Sequence, residues 1–198
     1  MSNQEKNPLH RTVRYDHSFV NRLLTVYTKP AQSLIRRHFE RLDSSFLRLS
    51  NDFLWMNDDK NILAMMQERG ALIAAFEAEI DQTLRAYEDG IKKHALPVLD
   101  VKKLKLKPIE AFDLELHSSA SIDAVRVFGK LDQIFLLLEM MKQNALIDEL
   151  AFIHTCNAWK ASAGAFVKDV HQLRIRLLEE SQHRLNANTN ANGNATNS

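Results

Sequence analysis

The stretch Val101-Lys102-Lys103-Leu104-Lys105-Leu106-Lys107 holds the densest chemistry in this chain of 198 residues. Read with a period of two, it sets Lys103, Lys105 and Lys107 on one face and Leu104 and Leu106 on the other. A row of ammonium groups is not buried without partners, so it faces water or a polyanion. A two-stranded ribbon fits the major groove of DNA, where lysines meet phosphates and base edges. Lysines also line solvated sheet edges, where they block aggregation, and the strand alone does not separate these roles. Arg11 and Arg14 flank a weakly alternating segment, Arg11 to Tyr15, while Arg36 and Arg37 sit on the polar side of a helix. The candidate DNA contacts are therefore Lys102, Lys103, Lys105 and Lys107, then Arg11 and Arg14, then Arg36 and Arg37. Each is equally at home as an ordinary solvated residue.

The elements that would position these cations are mostly helices. Five glycines and four prolines are few for this length, which argues for helices and against a β-sandwich. Residues 1–9 read as a disordered N-terminus, and 10–183 as a single, mainly helical domain. Phe19 to Tyr27 fits strand or helix, and periodicity does not decide between them. Thr28-Lys29-Pro30 marks a helix start, with Thr28 as cap and Pro30 in the first turn. Ala31, Leu34, Ile35, His38, Leu42, Phe46 and Leu49 then recur at helical spacing. Asn57-Asp58-Asp59 interrupts, and a long helix follows to about His94. Residues 98–117 break the helical pattern and read as an antiparallel β-ribbon near 101–117. In that hairpin, Asp113 and Glu115 of the alternating Phe112–Leu116 strand face the lysines.

Ser118, Ser119 and Ser121 offer caps for a helix to about Asn144 that is apolar almost all round, which belongs at the centre of a bundle. The last helix runs from about Ile147 to His183, with Phe152, Cys156, Trp159, Ala163, Phe166, Val170, Leu173 and Leu177 in a seven-residue repeat. That seam packs inside the chain or forms a homodimer. Residues 184–198 read as a disordered Asn-rich tail. Leu24–Ala31 and Leu114–Ser121 share one plan, in which an apolar alternating segment meets a hydroxyl cap and then a helix.

Several function classes lack support. There is no glycine-rich phosphate loop, nucleotide fingerprint or nucleophile elbow, so no enzyme, cofactor or small-molecule substrate is expected. His154 and Cys156 lie two apart on a helix and point in different directions, and no metal site is expected. Asp58 and Asp59 suit a helix N-terminus, and Asp132 is one carboxylate among apolar neighbours. The longest central apolar run, Ile134 to Leu138, is too short to span a bilayer. With one cysteine and no apolar leader, the chain reads as cytoplasmic, with no membrane partner. Net charge is +1, yet residues 1–50 hold nine Lys/Arg against four Asp/Glu, and the remainder seventeen against twenty-one. Charge placement rather than total charge would carry any affinity for DNA.

The order of several segments resembles the AcaB-like proteins of conjugative plasmids and integrating conjugative elements. They are Leu24-Thr25-Val26-Tyr27-Thr28-Lys29-Pro30-Ala31-Gln32-Ser33-Leu34, Trp55–Asp59, Phe112–Ser118, Val127–Asp132 and Asn144–Asp148. The resemblance implies a transcriptional regulator of transfer genes with a ribbon-helix-helix type of DNA contact and dimerisation. Minimal ribbon-helix-helix proteins are far shorter than this chain, and its best basic strand is internal. The expected fold is thus mainly α: a helical bundle with a small antiparallel β-ribbon, ribbon-helix-helix-like. The expected partners are double-stranded DNA and a second copy in a homodimer. The alternative is a non-enzymatic helical scaffold or accessory protein of a conjugation or secretion apparatus.

Overall fold

The computed structural model describes residues 20–54, 59–94 and 106–195. Their order is β1 (Val20–Val26), α1 (Lys29–Leu54), α2 (Asp59–Lys93), β2 (Glu110–Leu116), α3 (Ser119–Gln143) and α4 (Glu149–Ala195). The chain is thus two successive β-α-α units, and the strands of the two units pair antiparallel with each other. The mainly helical architecture matches the sequence reading. Within the undecided segment, Val20–Val26 is a strand.

Phe112–Leu116 forms a strand as expected, and its partner among the described residues is β1; the lysine strand expected beside it lies mostly outside the described residues. Leu24 lies opposite Phe112, Leu23 opposite Asp113, and Asn21 opposite Glu115. The two carboxylates therefore lie opposite Leu23 and Asn21. Lys107 lies just before β2, outside any strand, and residues 101–105 are outside the described residues. The physical reason for the pairing of β1 with β2 is burial. Leu24, Val26 and Leu116 are buried, and Phe112 and Leu114 pack on the same core. β1 thus offers β2 a matching apolar inner face, which is what makes so small a ribbon stable.

Hydroxyl caps begin the first helix of each unit. Thr28 Oγ1 accepts from Ala31 N at 3.3 Å, and Ser118 Oγ accepts from Ser121 N at 3.1 Å. At its other end α3 closes on Ala145, in the left-handed region at φ 55°, with Leu146 N donating to Met141 O at 2.8 Å. Helix α3 is central, with Val127, Phe128, Leu131 and Ile134 to Leu138 all buried. It packs against α1, α2 and α4 and beneath the ribbon. Phe39 of α1 meets Phe128 edge-on, and Phe76 of α2 stacks on Phe166 of α4 at 4.7 Å.

The seven-residue stripe of α4 is spent inside the chain. Cys156, Trp159, Ala163, Phe166 and Val170 join the main core, and Leu173 and Leu177 join a smaller cluster with Leu49 and Met65. Helix α4 also continues to Ala195, well past the expected end near His183 and into the Asn-rich stretch read as disordered. Once a helix is nucleated, each further residue adds a backbone hydrogen bond at little cost, even with modest helix formers such as Asn. Among the described residues no helix is long and apolar enough to cross a membrane.

The two units hold each other by carboxylates at their strand–helix junctions. Asp132 on α3 is buried and accepts from Tyr27 N at 2.9 Å, Thr28 N at 3.0 Å and Thr28 Oγ1 at 2.7 Å. In the opposite direction, Asp43 on α1 accepts from His117 N at 3.2 Å, and its other oxygen lies 2.7 Å from His117 Nδ1. Burial pushes the Asp132 carboxyl above its ordinary value, against the pull of the Thr28 and Tyr27 donors. Along the α2–α3 seam, Glu77 takes two bonds from Arg126, at 2.8 and 2.9 Å, and lies 2.7 Å from Lys130. Hydrogen bonds from Arg126, then Lys130, hold the Glu77 carboxyl at about 2.

Two outcomes test these contacts. Asp132→Ala strands three donors, the two of Thr28 buried and that of Tyr27 partly so, and is expected to cost about 3 kcal/mol or more, read as a lower urea midpoint with unchanged slope. A loss under about 1 kcal/mol would mean the junction satisfies itself otherwise. Because the folded-state value of Glu77 lies below the ordinary 4.5, its ionised form stabilises the fold above about pH 4.5, and that contribution is lost as pH falls toward 2. The urea-midpoint gap between the native chain and Glu77→Gln should therefore be full near neutrality and close as the solution is acidified. A gap independent of pH contradicts the ion-pair account.

Candidate functional site

Two surfaces meet at one end of the ribbon. The first is the ribbon's outward face. The register places Asn21, Leu23, Thr25, Ala111, Asp113 and Glu115 on it, opposite the buried row. Leu23 is 69% exposed, and Val20, at the ribbon's far end, is 46% exposed. No lysine or arginine lies on this outward row, and Arg22 belongs to the other face beside Leu114. The face thus offers hydrogen-bonding and apolar groups with two carboxylates, and no positive charge.

The second surface is cationic and runs between α1 and α4. It is an open groove of about 360 Å³ lined by Arg36, Arg37, Arg41, Arg48 and Arg174 with His171, Ser44 and Ser45, and by a single carboxylate, Glu40. Arg37, Arg41 and Arg48 follow one another at steps of four and seven residues, so helical geometry puts them on one face of α1. All three are exposed and make no ion pair among the described residues. Arg36 differs, because its guanidinium donates to Glu110 Oε1 at 2.8 Å. Gln32 donates to the other oxygen of Glu110 at 2.8 Å. Glu110 pairs with Val26 at the ribbon's end, and Ile109 N donates to Val26 O at 2.9 Å. Arg36 therefore ties the groove to the point where the chain enters β2, three residues after Lys107.

His38 reports the local field. It lies under the arginines on α1 and faces Gly164 of α4. Burial lowers its pKa first, and the charges of Arg37 and Arg41 lower it further.

Of the sequence-derived candidates, Arg36 and Arg37 share this groove, and Lys107 is exposed beside the ribbon's end. Lys102, Lys103, Lys105, Arg11 and Arg14 lie outside the described residues. Arg41 and Arg48 were absent from the sequence-derived set, although their spacing from Arg37 along α1 was a readable signal. Arg174 could not have been found that way, because it comes from α4.

The fold and these surfaces define a mainly helical protein, four helices carrying one two-stranded antiparallel ribbon. Among solved structures, the chain is similar to the crystal structure of selenomethionine-containing AcaB from uropathogenic E. coli. The TM-score is 0.75 and the identity 14%, over 85% of each chain. At that identity the likeness is one of fold. No family model matches the sequence, and no curated protein matches it.

Replacing Arg37 and Arg41 by alanine is expected to raise the His38 pKa toward its ordinary 6.5. An NMR titration of the His38 ring against pH measures it; an unmoved midpoint would show that the arginines impose no common field there.

Proposed function

We propose that this chain is a DNA-binding transcriptional regulator of conjugative-transfer genes, built as a ribbon-helix-helix module in which one chain supplies both strands. One observation carries the reading. Two β-α-α units stand in series, and their strands pair antiparallel into a single ribbon seated on the helices. Ribbons of this kind enter the major groove. The AcaB-like fold supports the same reading, and the assignment to transfer genes follows the resemblance of the sequence to AcaB-like proteins.

The chemistry divides between two sets of residues. Asn pairs with adenine, Thr bonds to several edges, acidic groups accept from the cytosine amino group, and small apolar groups meet the thymine methyl. Asn21, Thr25, Asp113, Glu115 and Ala111 provide that repertoire on the ribbon's open face. Such a face contributes selectivity and little affinity, since its carboxylates repel phosphates. Affinity would come from cations, for which Lys107 and the lysines at 102, 103 and 105 that precede it in sequence are the candidates, because phosphate contacts position while base contacts specify. Both strands of the described ribbon come from one chain, so a homodimer would not be needed to form it.

One observation favours a second reading, a helical scaffold for a protein partner. The open ribbon face bears two carboxylates, and exposed Leu150 and Ile153 lie near the start of α4. A salt-series titration of duplex DNA from upstream of neighbouring genes separates the two. The regulator requires binding that weakens linearly with log salt. Replacing Lys102, Lys103, Lys105 and Lys107 together by alanine should lower the slope by about 0.9 for each phosphate that the variant no longer neutralises, with the helical circular dichroism intact. Absence of salt-sensitive binding, with a stable protein complex on purification, would favour the scaffold.

A further inference from the structure

The arginine groove offers duplex DNA a set of cations that the ribbon does not supply. We propose that the α1–α4 groove is a clamp for the phosphate backbone of duplex DNA, flanking the site where the ribbon reads bases. This rests on the DNA-binding reading above, and it assigns Arg41 and Arg48 a role alongside Arg37.

Three observations point to it. The lining is strongly one-signed, with five arginines against Glu40 alone. Folded proteins usually intersperse surface charges or pair them, as the α2–α3 seam does here with Glu77, Asp81, Arg126 and Lys130. Leaving Arg37, Arg41 and Arg48 unpaired among the described residues costs self-repulsion that a polyanion would relieve.

The second observation is shape. Arg37 and Arg48 are eleven residues apart on one helix, which at a rise of 1.5 Å per residue is about 16 Å. A compact anion such as a single phosphate meets only one or two of these groups. An extended polyanion with a charge every ~3.4 Å along each strand meets the whole row. Guanidinium forks also match phosphate oxygens in a bidentate geometry that ammonium groups lack.

Position is the third. Arg36 lines the groove and also holds Glu110 at the ribbon's end, so the groove opens where the ribbon stops. A duplex lying across the ribbon would pass its backbone over α1. Glu110 occupies Arg36 in this role, so Arg36 orients the ribbon's end while Arg37, Arg41 and Arg48 meet the phosphates.

The test uses the full chain with fluorescence anisotropy on a labelled duplex of the target sequence and on a scrambled duplex, each over a salt series. Arg37→Ala, Arg41→Ala and Arg48→Ala combined should weaken both duplexes by the same factor, about tenfold or more, and lower the log–log salt slope by about 2.7. Arg37→Glu alone, an exposed change that leaves the core untouched, should lower the slope by about 1 and serves if the triple variant misfolds. Unchanged slopes in these variants, while the native chain binds DNA in a salt-dependent way, overturn the clamp and leave the regulator reading standing. A native chain that binds no duplex at any salt overturns both. Binding of an oligoglutamate peptide as tight as that of a duplex of equal charge, and abolished in the triple variant, overturns the clamp in favour of an acidic protein segment.

Discussion

The antiparallel pairing of β1 with β2 is the constraint on which the rest of the molecule depends. A two-stranded ribbon alone is marginal in water. Here it persists because its inner row is buried on α3 and because each strand leads directly into a capped helix. The carboxylates at the junctions make the arrangement reciprocal. Asp132, from the second unit, satisfies the amides of Tyr27 and Thr28 where the first strand becomes a helix, and Asp43, from the first, accepts from the amide of His117. Neither β-α-α unit is complete alone, because each leaves backbone donors that only the other satisfies.

Charge is distributed as unevenly in space as it is along the chain. On one side, Arg126 and Lys130 of α3 are matched by Glu77 and Asp81 of α2, and this surface carries little field. On the other, α1 and α4 present a row of arginines facing one carboxylate. A net charge of +1 conceals both arrangements. The ribbon's outward face carries two acidic groups and no basic one, while the groove that begins at its end is cationic, so the two surfaces differ in sign.

Much of the fold was readable because it depends on local rules. Thr28 and Ser118 have the cap chemistry their positions demand, and both caps form. The all-round apolar character of α3 required a central place, which it occupies, and the stripe on α4 required a partner surface, which α1, α2 and α3 supply within the chain. The likeness of Leu24–Ala31 to Leu114–Ser121 also had structural content, since those segments are the strand-to-helix turns of the two units.

What the sequence determined by itself was the set of elements, their ends at caps and breakers, and the faces each had to bury, because these follow from hydrogen-bonding and hydrophobic period over a few turns. The tertiary structure alone decided which strand β2 would join, why Asp132 is tolerated in an apolar setting, and that Arg174 would sit across from Arg41 and Arg48. Each of these joins residues about seventy or more positions apart, and nothing local distinguishes the true partner from a nearer one. The apolar inner face of β1 is a mate for Phe112–Leu116 because burying Leu24 and Val26 in the core offsets the entropy of closing the long connection between the two strands.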